Sequence, residues 1–431
     1  MLDIRFIREN AERVQEAANQ KGYDINITEL LRADESRREH QQKAEELRAR
    51  RNEVAAAMKG GRPDDAAIEE GRRLKTELAE IEDHLRVADE AYTTLLKAVP
   101  NMPHDDVPIG ASEDENVEIK IVGDKPGFDF APKNHYEIAE AKGWLDKERA
   151  AKVAGSRFAY VMGDLVMLQQ AIIQFVMTTL TDENKLKEII ASAGLEVSAK
   201  PFVPVLPPLM IRTEPYDQMD RLEPSDDRYK IEGEELWLQG SAEHVLGSMH
   251  AGEIFEAGQL PLRYLGFATS FRKEAGTYGK DMEGLIRMHQ FDKLEMESFT
   301  EAKDSYDEHL LFVAIQEYLL QQLKLPYHVL MKCTADIGKP NARGVDMEVW
   351  LPGQGKYRET HTADYMTDYQ ARRLQTRVRT NEGVALIHTN DATAFALGRC
   401  MVAILENYQT AEGDVIVPEV LRQFIGGRER L

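Results

Sequence analysis

A run of small and apolar residues from Gly71 to Val99 leaves few folds open to this chain. Gly71, Leu74, Leu78, Ile81, Leu85, Ala88, Tyr92, Leu95 and Val99 follow one another at alternating three- and four-residue intervals. That spacing is a heptad seam, and a seam needs a partner helix along its length. A partner lies just upstream. From about residue 35 to about 60 the chain is almost all Glu, Lys, Arg, Gln and Ala, the strong helix formers. It carries a shorter seam of Ala44, Leu47, Val54 and Met58, interrupted by Arg51. Gly60-Gly61-Arg62-Pro63-Asp64-Asp65, between the two stretches, is a turn signal. The pattern predicts an antiparallel helical hairpin with roughly 30 residues per helix and a length of roughly 45 Å. Ahead of it, Ile4, Ile7, Val14 and Ala17 recur at helical spacing and predict short helices over residues 1–30.

The hairpin carries Arg37, Arg38, Lys43, Arg48, Arg50, Arg51, Lys59, Arg62, Arg72, Arg73 and Lys75. Two readings stand side by side. One is a solvated helix face balanced by neighbouring glutamates; the other is a rail for an RNA backbone. The net charge of −21 argues against a chain coated in positive potential. It leaves room for a local basic surface that pairs with phosphates.

Pro100-Asn101-Met102-Pro103-His104 ends the hairpin, and the acidic run to Asn116 reads as a linker. The expected division is a helical arm over 1–105 and a second domain over 106–431, of mixed α and β texture. Residues 162–195 read as helical and 203–212 as extended. Strand-like runs fall near 235–239, 262–272, 285–298, 345–351 and 384–389, with a helix from about 394 to 408. With 42% hydrophobic and 30% charged residues, the balance is that of a soluble globular protein. Only Cys333 and Cys400 are present, far apart and with no Cys or His at ligand spacing. Neither a disulfide framework nor a zinc site is expected, and a reducing cytoplasm is the expected location. The charged start lacks the apolar core of a signal peptide, and no stretch approaches the ~20 apolar residues that span a bilayer.

Several nucleotide-site patterns are excluded. Gly276-Thr277-Tyr278-Gly279-Lys280-Asp281 lacks both the spacing of a phosphate loop and the hydroxyl after its lysine. His244 and His250 are six residues apart, which suits neither neighbouring position on one helix face, and they read as ordinary histidines. The informative stretch runs from Phe271-Arg272-Lys273-Glu274-Ala275-Gly276 to Gly284-Leu285-Ile286-Arg287-Met288-His289-Gln290-Phe291-Asp292-Lys293-Leu294-Glu295. It reads as strand, loop, strand. Arg272 and Glu274, two apart, would project from one face of a strand. A guanidinium can clamp a phosphate, a carboxylate can accept from an adenine amino group, and Phe291 can stack on a base.

This run closely resembles motif 2 of seryl-tRNA synthetases, a class II family. Ala396-Leu397-Gly398-Arg399 with Met401 to Gln409 looks like the family's motif 3. Glu348-Val349-Trp350-Leu351-Pro352-Gly353-Gln354, Tyr357-Arg358-Glu359 and Gln370-Ala371-Arg372-Arg373 are similar to the segment between. Pro207-Pro208 sits where the dimerisation motif is expected, and the hairpin with Val99 to His104 matches the family plan. The resemblance covers nearly the whole chain. It implies an α+β architecture: an N-terminal coiled-coil arm, then a catalytic domain built on an antiparallel sheet flanked by helices. It also implies an enzyme that joins L-serine and ATP into seryl-adenylate and transfers the seryl group to the 3′ end of serine tRNA. Selenocysteine tRNA is left open as a further acceptor. A homodimer, magnesium and no membrane association belong to the same expectation.

Carried over residue by residue, Arg272 would hold the α-phosphate, Glu274 the adenine amino group and Phe291 one face of the adenine. Arg399 would cover the other face and reach the γ-phosphate. Lys273, Thr360 and His361 fall among the ATP-binding positions, and Glu359 and Thr362 would hold magnesium. Ser241, Ala242, Glu243, Glu295 and Thr393 occupy the serine-binding positions. Arg50, Arg51, Arg72 and Arg73 are the expected tRNA contacts. The chain departs from the pattern in places. Thr360-His361-Thr362-Ala363-Asp364-Tyr365 stands where Ile-Ser-Ser-Cys-Ser-Asn is usual. Ser241-Ala242-Glu243 replaces Thr-x-Glu, and Asp391-Ala392 replaces Asn-Gly before Thr393. Two rival functions stay open beside the leading one: an amino acid:carrier protein ligase, and a catalytically inactive synthetase-like RNA-binding protein.

Overall fold

The heptad residues line the contact between two long helices. In the computed structural model, which describes residues 1–58, 65–274 and 284–431, two short helices, α1 (Ile4–Glu9) and α2 (Ala11–Gln20), precede α3 (Ile27–Met58) and α4 (Asp65–Ala98). Arg37 lies over the Tyr92 ring, Arg48 pairs with Glu82, and Gly71 faces the tip of Met58. These partners run in opposite directions along the two helices, so the pair is an antiparallel hairpin. Ala44, Leu47, Leu74 and Leu78 form its buried seam, with Val54, Ile81 and Leu85 packed against them. Each fully buried leucine contributes about 1.5–3 kcal/mol. Arg51, the interruption in the seam, is exposed. Near the end of α4 it is Leu96 that is buried, and Leu95 only partly so.

α3 begins at Ile27, earlier than the change of texture near residue 35 suggests. Asn26 Oδ1 accepts the Glu29 N–H at 3.1 Å, and Ile27 and Leu30 are buried. The first turns of α3 are therefore buried, as are Ile7, Val14, Ala17 and Ala18 of α1 and α2, and only the later turns carry the seam. The turn expected after Met58 falls almost wholly outside the described residues, as do Lys59 and Arg62.

The chain divides into two compact units, Met1–Met102 and Pro103–Leu431. The second is built on eight strands: β1 (Val117–Val122), β2 (Val203–Val205), β3 (Leu262–Phe271), β4 (Gln290–Thr300), β5 (Tyr327–Met331), β6 (Arg343–Leu351), β7 (Lys356–Thr367) and β8 (His388–Ala396). Their order in the sheet is β1-β5-β6-β7-β8-β4-β3-β2. Every neighbouring pair is antiparallel except β2 with β3. Helices α5 (Asp164–Leu180), α6 (Ser305–Gln322) and α7 (Leu397–Asn407) contribute to the main core. The sheet supplies Leu294 and Met296 from β4, Val345 and Met347 from β6, Ala363 from β7, and Ala392 and Ala394 from β8. Side chains alternate along a strand, so the residues between these face the other side.

Three expectations need correction. The helix placed from residue 394 starts at Leu397, because Phe395 and Ala396 continue the pairing of β8 with β4 beyond a bulge after Thr393. The strand placed from residue 285 starts at Gln290. The acidic run before Asn116 is docked rather than a free linker. His104 N–H donates to Ala342 O at 2.8 Å, Arg343 pairs with Asp106 at 2.9 Å, and Asn116 donates to Asp336 at 2.8 Å.

Candidate active site

β3 and β4 form the expected hairpin, with Phe271 opposite Gln290 and Ser270 opposite Phe291. The loop joining them, 275–283, lies outside the described residues, and with it the Gly276–Asp281 stretch. The strand ends at Phe271, so Arg272 and Glu274 do not share a strand face as expected. Arg272 to Glu274 are irregular, and Glu274 has φ of 52°. Both side chains are nonetheless held. Arg272 Nε donates to Gly240 O at 2.9 Å, and its guanidinium lies 5.4 Å from the Phe291 ring centre. Glu274 pairs with Arg287 at 2.9 Å, and its carbonyl accepts from Arg157 at 3.2 Å. The Lys273 ammonium lies 5.6 Å from the Tyr229 ring centre.

Arg399 stands in the first turn of α7 and crosses to β7. Its Nη1 donates to Glu359 O at 2.8 Å and lies 3.2 Å from Glu359 Oε1. Desolvation pushes the Glu359 carboxyl up, but Arg399, Lys332 and Arg272 outweigh it and hold the group below its ordinary range. Across the β6–β7 register Asp346 faces Thr362. Asp346 Oδ1 and Thr362 Oγ1 are both buried, and neither has a polar partner beyond the other. Burial raises the Asp346 carboxyl to about 7 against the pull of Lys332. With the Glu359 carboxylate these oxygens make a hard donor set, the kind magnesium takes. Asp346 belongs to no motif legible along the chain; its place in the alternation of β6 is the one signal it leaves in the sequence.

Thr360 and His361 do not join that set through their side chains. Thr360 Oγ1 donates to Met347 O at 3.2 Å, and the His361 ring packs 4.9 Å from Phe395 in the core. Burial pushes the His361 imidazole down to about 3, which keeps it neutral.

One row further along, β4 and β8 place Glu295 opposite Thr393. Ser241, which precedes the short helix Ala242–Gly247, donates to Glu295 Oε2 at 3.2 Å. Lys293 Nζ donates to the same Ser241 hydroxyl at 3.1 Å and also pairs with Glu295. Carboxylate oxygens of Glu243, Glu295 and Asp391 lie within 4.8 Å of one another. On the far side of the sheet, Gln316 of α6 donates to the carbonyls of both Thr362 and Thr393, at 2.7 and 2.8 Å. One side chain thus ties together the two strands that carry the two halves of the site. His244 and His250 have ordinary partners: His244 Nδ1 accepts the Gly240 N–H at 3.2 Å, and His250 bonds Tyr264 at 2.9 Å.

The assembly is a cationic clamp at Arg272 and Arg399 beside a pocket rich in carboxylate, which suits a triphosphate next to a small ammonium compound. Comparison with known proteins gives the family. The tRNA synthetase class II core domain (G, H, P, S and T) matches residues 228–408, and the seryl-tRNA synthetase N-terminal domain matches residues 1–103. The serine–tRNA ligase of Thermodesulfovibrio yellowstonii is 40% identical over 99% of both chains. The chain belongs to the seryl-tRNA synthetase family. The Deinococcus radiodurans serine–tRNA ligase is 39% identical over 100% of this chain and 99% of its own. Among solved structures, the Pyrococcus horikoshii seryl-tRNA synthetase complexed with ATP superposes with a TM-score of 0.87. It is 34% identical and matches over 100% of this chain and 99% of its own. The Naegleria fowleri enzyme in complex with AMP gives 0.84 at 27% identity, over 100% of this chain and 98% of its own. The α+β architecture with its helical arm is therefore that of the seryl-tRNA synthetase family.

Proposed function

We propose that this chain activates L-serine with ATP to seryl-adenylate and transfers the seryl group to the 3′ end of serine tRNA. The observation that carries this reading is the adjacency, on one sheet face, of the Arg272–Arg399 clamp and the Ser241–Glu243–Glu295–Thr393 pocket. Attack by the serine carboxylate at the α-phosphorus is a displacement in which positioning and charge neutralisation do most of the work. Arg272 binds the α-phosphate, and Arg399 covers the adenine and reaches the γ-phosphate. Phe291 stacks on the other face of the base, and Glu274 accepts from its amino group. Lys273 lines the surrounding ATP site, and Thr360 and His361 take part through their place in β7 and not through their side chains. Glu359 and Thr362 would hold magnesium, Asp346 offers a third oxygen, and the ion would neutralise phosphate charge. Glu243 and Glu295 take the serine ammonium with Ser241, while Thr393 pairs with the hydroxyl.

Residues 1–105, with the α3–α4 hairpin, are read as the tRNA-binding arm domain, and residues 106–431 as the catalytic domain. Val203, Leu206, Leu209 and Met210 are exposed around Pro207-Pro208, which supports a homodimer through that edge. No helix among the described residues is long and apolar enough to cross a membrane. Cys333 and Cys400 are buried and unpaired, in keeping with a reducing cytoplasm. Serine-dependent pyrophosphate exchange, followed by charging of serine tRNA, tests the reading. Exchange without charging would favour a carrier-protein ligase; no exchange would favour an inactive RNA binder.

Two further outcomes probe the serine pocket. Thr393, buried at 3% exposure, should accept Thr393→Val with little change of shape. Serine binding should weaken and the preference for serine over alanine shrink by roughly 1–3 kcal/mol, the worth of one buried hydrogen bond. Unchanged discrimination in steady-state kinetics would place Thr393 outside the pocket.

The second outcome concerns pH. Burial raises the Glu295 carboxyl to about 7, against the pull of Lys293. A carboxyl whose folded value lies above its unfolded value costs stability once ionised, so its contribution falls as pH climbs toward 7. Serine binding runs the other way, because an ammonium prefers the ionised form. The KM for serine at saturating ATP should fall between about pH 6 and about pH 8 and then level off. A flat profile would remove Glu295 from the ammonium site.

A further inference from the structure

Three carboxylates stand in one row across the site face. The strand register sets Glu297 opposite Asp391 and Asp391 opposite Asp364. Alternation turns all three away from the core. This row lies next to the one that holds Glu295 and Thr393. Asp391 and Asp364 are the positions where the family pattern carries neutral Asn and Ser. Adjacent buried carboxylates are costly unless a cation meets them.

Two cations meet them: Lys332, which acts more strongly on Asp364, and Arg221, which comes from far away in sequence. Arg221, with 15% of its side chain exposed, places Nε 3.1 Å from Glu243 Oε1. Its Nη2 lies 3.4 Å from Asp391 Oδ2 and 4.0 Å from Asp364 Oδ2. The same Nη2 donates to Asn341 Oδ1 at 3.3 Å. One guanidinium therefore joins the two unusual aspartates to Glu243, whose carboxylate lies within 4.8 Å of Glu295 and Asp391. A forked, permanently charged guanidinium suits three carboxylates spread around it, whereas a lysine gathers its partners about a single point of charge.

Resting on the reading of Glu243 and Glu295 as the ammonium site, we propose that Arg221 is a positioning residue for amino-acid recognition. It fixes Glu243 beside Glu295 and neutralises Asp391 and Asp364, so that the pocket presents acceptors for one substrate ammonium. Asp391 and Asp364, the two departures from the family pattern, both lie within reach of this guanidinium, and Lys332 shares the charge of Asp364. Without it, Glu243 keeps only His244, 3.4 Å away, as an ion-pair partner among the described residues, and Asp391 becomes a competing acceptor for the incoming ammonium.

The test is serine-dependent pyrophosphate exchange on the full chain, with thermal melting measured on each variant. Arg221→Met should raise the KM for serine roughly 10–100-fold, the usual cost of losing a group that orients a binding residue. The KM for ATP and kcat should stay within a few-fold. Arg221→Met combined with Asp391→Asn should recover most of the lost serine affinity, since the uncompensated charge has been removed. An Arg221→Met enzyme with the wild-type KM for serine overturns the proposal. So does one that loses all parameters in step with its melting temperature and is not rescued by Asp391→Asn; Arg221 is then a structural strut. If Arg221→Met is insoluble, Arg221→Lys carries the test: a several-fold rise in the KM for serine is expected, and an unchanged value overturns the proposal. Failure of the wild-type chain to exchange with serine would instead overturn the reading of the pocket itself.

Discussion

Arg272→Ala and Arg399→Ala should each reduce serine-dependent pyrophosphate exchange by at least roughly 10²–10³-fold, the loss that follows removal of one preorganised charge-stabilising group. The effect is large because negative charge moves along the triphosphate during adenylate formation, and both guanidinium groups are fixed in place before substrate arrives. Arg272 is held by Gly240 O, and Arg399 by the carbonyl and carboxylate of Glu359. Neither change should unfold the protein. Arg399 is 28% exposed and its partner Glu359 is 46% exposed, so the carboxylate left behind can be hydrated. Melting temperatures near wild type are the expected control. Lysine at either position keeps the charge but loses the planar fork, so Arg→Lys should recover only part of the rate. Near-wild-type exchange by either alanine variant would show that its arginine does not touch the reacting triphosphate.

How much of this was legible in the sequence depends on how local the signal is. The α3–α4 hairpin was legible because a heptad is a periodic pattern, and Leu74 and Leu78 are buried where the pattern puts them. The β3–β4 hairpin was legible from its motif. The end of β8 was not. Ala392-Thr393-Ala394-Phe395-Ala396 leads straight into a helix, and alanine is a strong helix former, yet pairing with β4 keeps the segment extended through Ala396. Tertiary context overrode propensity there. At the site, Arg272, Phe291 and Arg399 came from motifs read along the chain. Asp346 was half-visible, as one of the alternate residues of β6. Arg221 left no trace, because its meaning lies in meeting Glu243, Asp364 and Asp391, three residues on three different elements. A sequence shows the departure at residue 391; only the fold shows what accompanies it.

Replacing residues 36–97 by a short Gly-Ser linker should leave serine-dependent exchange within a few-fold of wild type and collapse tRNA charging. The seam residues Ala44, Leu47, Leu74 and Leu78 form one core cluster, and the residues around the candidate active site belong to another. The arm's basic residues are not idle in the free protein. Arg50 and Arg73 both pair with Glu70, at 2.9 and 2.7 Å, and Arg72 lies 3.8 Å from Glu69. Arg51 is exposed and has no ion pair among the described residues. Those pairs fit the solvated-face reading, but they do not exclude the rail. Exposed ion pairs are weak and screened by salt, so a phosphate can take the place of a glutamate at little cost. What separates the readings is counterion release. A rail makes charging at sub-saturating tRNA fall steeply with salt, whereas a solvated coil leaves it nearly flat. Arg50→Ala with Arg51→Ala, or Arg72→Ala with Arg73→Ala, should raise the KM for tRNA and reduce the salt slope by about one for each phosphate that is no longer neutralised, while the KM for serine stays put. The resemblance to the seryl-tRNA synthetase family, whose arm grips the elbow and long variable arm of its tRNA, implies a preference for tRNAs with a long variable arm. An armless enzyme that charges serine tRNA as well as the intact one would leave the hairpin as a coiled coil with no part in tRNA binding.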